Sequence, residues 1–383
     1  MIKVNHAIAY SGLSSEKDDE TSWNFTPGTL WDTESKDVNS FVKKVYDRIG
    51  KSGKEHTEFK PTDEPRAFPN LLKNYLCNNS NSKESFETLA STFTDYGLKK
   101  ELKASRLNEG IVIVFVNFDH YSDPIFTINE NGEDVEHPDH PTVHLASKFL
   151  VLMVRNTGAL KFTDDLQISN VDVIDMKQLI QGAQIDIPRF MNSYPKIDFE
   201  KEHDNYISFV KGIGDIRDYF KKSMNAEDMV TNKKSSENLS VAIEEFFSEY
   251  KLERNTKEDI KLTLYNFSKE NKNQVTTIEQ IEDEIDRCIP ISNENARKSF
   301  IKFINDKNYE INDEFEIKEN IIKTLVFIDL ELGFAKLILS QSALGKVGEN
   351  KKAKFNPASN ELTFTATISN QEEINKILSI ING

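Results

Sequence analysis

Ile111-Val112-Ile113-Val114-Phe115-Val116-Asn117-Phe118 is a β-branched and aromatic run. It is too short for a helix of ordinary length, and it reads as a strand buried in a sheet. His144 to Arg155, built around Phe149-Leu150-Val151-Leu152-Met153-Val154, reads as a second central strand that ends at Asn156-Thr157-Gly158. Between them, Asn131-Gly132 is the strongest short hairpin signal in the chain. Ile168 to Asp175 gives a further strand and Met176 to Gly182 a short helix. Ile185-Asp186-Ile187-Pro188 reads as an edge element, because proline cannot donate into a central ladder.

Upstream, residues 1–110 alternate polar loops with short helical patterns. Val38, Phe41, Val42, Val45 and Ile49 follow helical spacing, with Gly50 as the stop. Two further helices are predicted over Phe68–Tyr75 and Lys83–Thr94. Downstream of Tyr194-Pro195 the pattern turns helical. Tyr206, Phe209, Val210, Ile213, Ile216, Tyr219 and Phe220 make one apolar stripe, and Leu239, Ile243, Phe246 and Phe247 a second. Ile260, Leu264 and Phe267, then Ile278, Ile281 and Ile285, then Phe300, Ile301 and Ile304 continue the series. From Ile321 strands return: Ile322 to Leu332 and Phe334 to Leu339 flank Gly333, and a turn at Asn356–Asn360 leads into Leu362 to Ile368. A helix over Gln371–Ile381 closes the pattern.

The fold class is therefore α+β. An N-terminal mixed α/β domain over residues 1–195 is followed by a helical middle over 196–320 and a small C-terminal β unit with a terminal helix over 321–383. The length of 383 residues and the 25 phenylalanines provide a sizeable core and exclude a wholly disordered chain. Lys+Arg number 48 against 63 Asp+Glu, a net charge of −15. Residues 237–320 alone hold 20 acidic and 12 basic side chains. Such a chain repels phosphate backbones on average, so nucleic-acid binding requires a local basic patch. Two distant cysteines, Cys77 and Cys288, make no disulfide framework and fit a reducing compartment. The start lacks a secretory pattern, and the longest apolar runs fall far short of the ~18–20 residues of a membrane span. The expectation is a cytoplasmic protein with no membrane partner.

Several of these blocks together resemble the bacterial nucleoid-associated protein family, the NdpA/YejK group. Tyr206-Ile207-Ser208-Phe209-Val210-Lys211-Gly212, continuing to Asp218-Tyr219-Phe220, looks like the family's aromatic-x-x-Phe-x-Lys-Gly helix. Ile168 to Asp172 with Ile185 to Pro188, the two strong strands, and Phe355 to Phe364 resemble its other blocks in the same order. The resemblance implies association with bacterial chromosomal DNA and no catalytic centre. Residues 119–143 form a longer insertion than the family leads one to expect, which puts a locally added function in play there.

Three constellations could carry chemistry. On a helix, Lys211 shares a face with Asp215, Asp218 and Lys222, a face of ion pairs from which Lys221, Lys222, Lys233 and Lys234 best escape to contact phosphates. Gly212 inside that helix implies close packing against another backbone. Lys346, Lys351, Lys352 and Lys354, opposed only by Glu349, form the most concentrated positive charge in the chain and read as a flexible exposed loop. No aromatic is interleaved with them and no base-reading module is present, so neither stacking on single strands nor sequence-specific readout is indicated. His137, His140 and His144, with Asp119 and His120 upstream, are candidate metal ligands, although the prolines between them forbid a helical zinc motif. No nucleophile elbow, catalytic cysteine or phosphate-cradling loop is present, and no cofactor is called for. The reading is a DNA-binding, non-enzymatic homodimer of low sequence preference. A protein-interaction adaptor that recruits a DNA-processing partner is the alternative, and a metal-dependent enzyme centred on the histidines the third.

Overall fold

Every residue from Ile111 to Phe118 is buried, because the two sides of that strand face different cores. Ile111, Ile113 and Phe115 enter one cluster, while Val112, Val114, Val116 and Phe118 enter the other. A strand covered on both sides loses its alternation and becomes a continuous apolar run.

The computed structural model describes residues 1–17, 20–77, 82–103, 105, 107, 110–128, 134–137, 139–155, 179–195, 205–212, 218–227 and 230–382. Strands β1 (Ile2–Lys17) and β2 (Glu20–Pro27) pair antiparallel, followed by helix α1 (Lys36–Ile49) and the short β3 (Glu55–Thr57). Helices α2 (Phe68–Cys77) and α3 (Lys83–Thr92) run through a π-helical turn at Phe93–Leu98 into α4 (Lys99–Leu102). Next come β4 (Ile111–Tyr121), β5 (Phe126–Ile128), β6 (Asp134–Glu136), β7 (His144–Arg155) and β8 (Leu179–Asp186). Helix α5 (Ile187–Ser193), β9 (Ile207–Lys211) and α6 (Asp218–Ser223) complete this part.

The main sheet is antiparallel, in the order β2-β1-β4-β7-β8-β9-β3. The core on one face takes Phe68, Leu72, Phe86, Phe93, Phe190 and Phe220 from the helices. The other face is covered by α1 through Val38, Phe41, Val42, Val45 and Ile49, the set expected from its spacing.

A separate helical core follows. It contains α7 (Asn232–Glu249), α8 (Arg254–Glu270), β10 (Val275–Thr277), α9 (Ile278–Cys288), α10 (Phe300–Asp306), β11 (Glu314–Glu316) and α11 (Glu319–Val326). Leu239, Ile243, Phe246, Ile260, Ile281 and Phe300 meet at its centre. The end of the chain forms the antiparallel pair β12 (Phe327–Leu332) and β13 (Ala335–Ser340). A small sheet of β14 (Leu344–Lys346), β15 (Ala353–Asn356) and β16 (Glu361–Phe364) comes next, then helix α12 (Gln371–Asn382). The α+β class holds, with a C-terminal β unit and a terminal helix.

Five local expectations are corrected. The Tyr206–Lys211 block is a strand, not a helix: β9 is hydrogen-bonded between β8 and β3, and helix resumes only at Asp218. Leu179–Gly182 belongs to β8 rather than to a helix. Pro188 sits in the first turn of α5, where a missing N–H costs nothing, and β8 before it is central rather than an edge. Ile322–Val326 is the end of α11, so the strand begins only at Phe327. The segment before α1, read as loop, carries β1 and β2. Asn131-Gly132, residues 156–158, the Ile168–Asp175 strand, Ile213, Asp215 and Ile216 lie outside the described residues.

The helical core is fastened to the sheet through residues 50–57. Asn312 Oδ1 accepts from the His56 amide at 3.0 Å while its Nδ2 donates to the Val230 carbonyl at 2.8 Å. Asn305 Nδ2 donates to the carbonyls of Gly50 and Ser52, and the Asp313 amide donates to the Lys54 carbonyl at 2.7 Å. These bonds satisfy buried and half-buried backbone groups at the joint.

Candidate nucleic-acid interface

The nine lysines singled out from sequence fall into two electrostatic groups. Lys211 ends β9, and its ammonium pairs with Asp313 at 2.7 Å and Glu314 at 2.5 Å. Burial alone would lower its pKa, but the hydrogen bonds it donates to both carboxylates outweigh this and hold it above the usual lysine value. Lys211 is thus committed to the helical core. Lys221 lies 3.9 Å from Asp218, and Lys233 lies 3.7 Å from Glu237 one turn along α7. Lys234 stands in the first turn of α7, its amide capped by Thr231. A helix N-terminus is a site of positive potential, which makes two lysines there a natural attractor for anions.

The C-terminal basic segment is braced rather than loose. Lys351 donates to the Ser342 carbonyl at 2.8 Å and approaches Glu258 of α8 at 3.4 Å. Arg254 joins Glu258 to Glu349 and donates to the Leu344 carbonyl. Among the described residues, Lys222, Lys346, Lys352 and Lys354 are exposed with no carboxylate in salt-bridge range. Parallel pairing sets Lys346 opposite Phe355 and Gly345 opposite Lys354, so three of these four cations share one small sheet and its connecting turn.

The histidines divide. His137 and His140 lie ring to ring at 5.0 Å. His144 Nε2 turns to Ser147 Oγ at 3.0 Å and Asp119 at 3.4 Å, and its ring packs on Tyr121. Burial acts to raise the Asp119 pKa, but hydrogen bonds from Ser147, Asn5 and His144 outweigh it and hold the carboxyl below its ordinary value. Among the described residues, no three His, Cys, Asp or Glu side chains converge in a group able to hold a metal ion.

No sequence signal announces a further feature, a polar pocket of about 850 Å³ between the sheet and the helical core. Its walls include Lys51 and Lys54 after α1, Lys148 of β7, Arg189 of α5, and Lys302 and Lys307 of the α10 region. The segments that build it are separated along the chain by up to some 250 residues, beyond the reach of any local spacing rule.

An antiparallel sheet, a helical core and a small terminal β unit with exposed lysines define an α+β protein. The pattern of the nucleoid-associated protein YejK family matches residues 14–371, and the chain belongs to that family. It is 25% identical over 186 residues to a nucleoid-associated protein of Vibrio vulnificus strain YJ016, covering 48% of this chain and 52% of that protein. To nucleoid-associated proteins of Vibrio campbellii and Aliivibrio salmonicida it is 24% and 22% identical, over 60% of this chain and 65% and 64% of theirs. The matches span about half to two thirds of these relatives' length. The family is not an enzyme class, and no helix among the described residues is long and apolar enough to cross a membrane.

Proposed function

We propose that the protein associates with the nucleoid by binding duplex DNA with little sequence preference, through Lys346, Lys352 and Lys354, with Lys222, Lys233 and Lys234 as a second contact zone. The observation that carries this reading is the exposed, carboxylate-free state of the three C-terminal lysines in a chain whose other candidate cations are largely paired. Family membership supports a cytoplasmic, nucleoid location. Three phosphate contacts correspond to a salt slope of about −3 on duplex DNA. Titration of duplex DNA at low and high salt should show that slope, and Lys352→Glu with Lys354→Glu should reduce its magnitude by about 2. A salt-independent affinity, or one indifferent to both substitutions, overturns the reading.

A homodimer fits this mode, since doubling a weak patch multiplies avidity when both sites engage. Its support is the bare apolar side of α12, where Ile377, Leu378, Ile380 and Ile381 are exposed, and Phe334 on the β12–β13 turn, 92% exposed. Truncation after residue 370 should convert a dimer to a monomer in sedimentation. The adaptor reading is favoured by the acidic surface of residues 237–320 and predicts a co-purifying partner without direct binding of purified protein to DNA.

A further inference from the structure

Lys54 lines the polar pocket, is 7% exposed, and its ammonium has no hydrogen bond or ion pair among the described residues. A lone ammonium largely withdrawn from water is costly unless something negative compensates it. Lys148, on the same wall, is close enough to oppose the charge on Lys54 further, and its own partner is Asp186 at 2.7 Å. The remaining cations are also engaged: Arg189 with Glu310, Lys302 with Asp306 and Lys307 with Glu249. Lys51 at the mouth is exposed and, like Lys54, without a carboxylate in range. Asp47, Asp186 and Asp306 also line the cavity, and Asp306 attracts the Lys54 ammonium from beyond salt-bridge range, so one buried and one mouth-placed cation remain without a directly bonded carboxylate. Burying like charges together lowers stability, and such arrangements cluster where a ligand supplies the missing charge.

The volume, about 850 Å³, lies in the range of small-molecule sites, and a duplex is too wide to enter. Tyr46 and His120, packed at 4.9 Å, give the pocket an aromatic side. We propose that this pocket binds a small phosphorylated molecule of nucleotide size, its phosphate held by Lys54 and Lys148 with Lys51 at the entrance. Tyr46 and His120 take the ring. This site is separate from the lysines assigned to DNA, and it stands or falls independently of them.

Calorimetric titration of the full chain with inorganic phosphate, pyrophosphate and ATP, without added metal, tests the assignment. The expected result is binding of at least one of these at pH 8, weakened about tenfold or more by Lys54→Met and about threefold by Lys51→Glu. Duplex-DNA affinity should be unchanged by Lys54→Met. Burial, then Lys148, depress the free Lys54 amine to about 7 against the opposing pull of Asp306. Binding should therefore take up a proton at pH 8 in the parent protein and not in Lys54→Met, as seen by comparing buffers of different ionisation heat. Absence of binding for all three probes, or equal affinity in parent and Lys54→Met, overturns the proposal. Loss of DNA affinity without small-molecule binding overturns it too, and assigns the cations to DNA. If Lys54→Met fails to fold, Lys51→Glu on the exposed rim decides: undiminished affinity there refutes the site.

Discussion

Lys211 Nζ lies 2.7 Å from Asp313 Oδ2, joining the last residue of β9 to a carboxylate packed beneath Gly53. A Cβ added to Gly53 would stand 1.9 Å from Asp313 Oδ1, so the carboxylate fills the space that the glycine leaves. The lysine that resemblance and charge both put forward for DNA is a fastener between two cores.

Lys211→Met should therefore lower stability and leave DNA affinity alone. Asp313 would keep a largely buried charge without its partner. Lys211 itself is 28% exposed, and screening limits the loss to about 1–2 kcal/mol. The pair's contribution is fully present below the unfolded lysine pKa and is lost only as pH rises through the raised folded value. Urea unfolding at pH 7 and duplex binding, measured on the same variant, check both halves.

Gly212→Ala should be far more severe. A Cβ there would lie 1.7 Å from the Leu179 carbonyl oxygen, a backbone atom held in the sheet that cannot give way. A loss above about 3 kcal/mol or failure to fold is expected in a solubility and circular-dichroism comparison. The close backbone approach expected of this glycine is present, although it closes a strand and not a helix.

Asn312→Ala removes one acceptor for the His56 amide and one donor to the Val230 carbonyl, both inside the joint. A destabilisation of about 2–3 kcal/mol follows. Hydrogen exchange should show the His56 amide losing protection.

Stability should rise with pH above about 7, whereas below it the opposed shifts of Glu55 and His56 largely cancel between about 4.5 and 6.5. Burial pushes the Lys54 amine from 10.5 down to about 7, so the unfolded chain binds more protons between those values and stability rises with pH across them. Burial, against a hydrogen bond from the Glu314 amide, pushes Glu55 from 4.5 up to about 7. There the folded chain holds the extra proton and the Glu55 contribution falls as pH climbs, while burial holds His56 down to about 3 and its contribution rises up to about 6.5. Lys54→Met should abolish the alkaline rise and stabilise the protein at pH 7 by on the order of 2 kcal/mol. Denaturant midpoints from pH 5 to 10 measure both effects.

Much of the fold was legible because burial on two sides leaves an unbroken apolar run, as in Ile111–Phe118, and burial on one side leaves a helical stripe, as in α1. The failures are equally physical. In β1, Ile2 and Val4 face the same core as Ala7 and Ala9, because a register shift between Val4 and His6 reverses the parity. No period of two survives that shift. At β9, Phe209 and Val210 with the preceding Tyr206 happen to satisfy helical spacing, while a strand of five residues is too short to display alternation. The charge state of the lysines was the least legible. Lys211 meets Glu314 across 103 positions and Lys351 meets Glu258 across 93, so only the folded chain reveals which cations are already spent.

The clasp of Asn305 and Asn312 on residues 50–57 has a mechanical consequence. The cavity's walls are shared, Lys148 riding on the sheet and Lys302 on the helical half. Its size thus gauges the angle at which the two halves meet, and whatever fills it would lock that angle, stiffening the whole molecule from a single interior point.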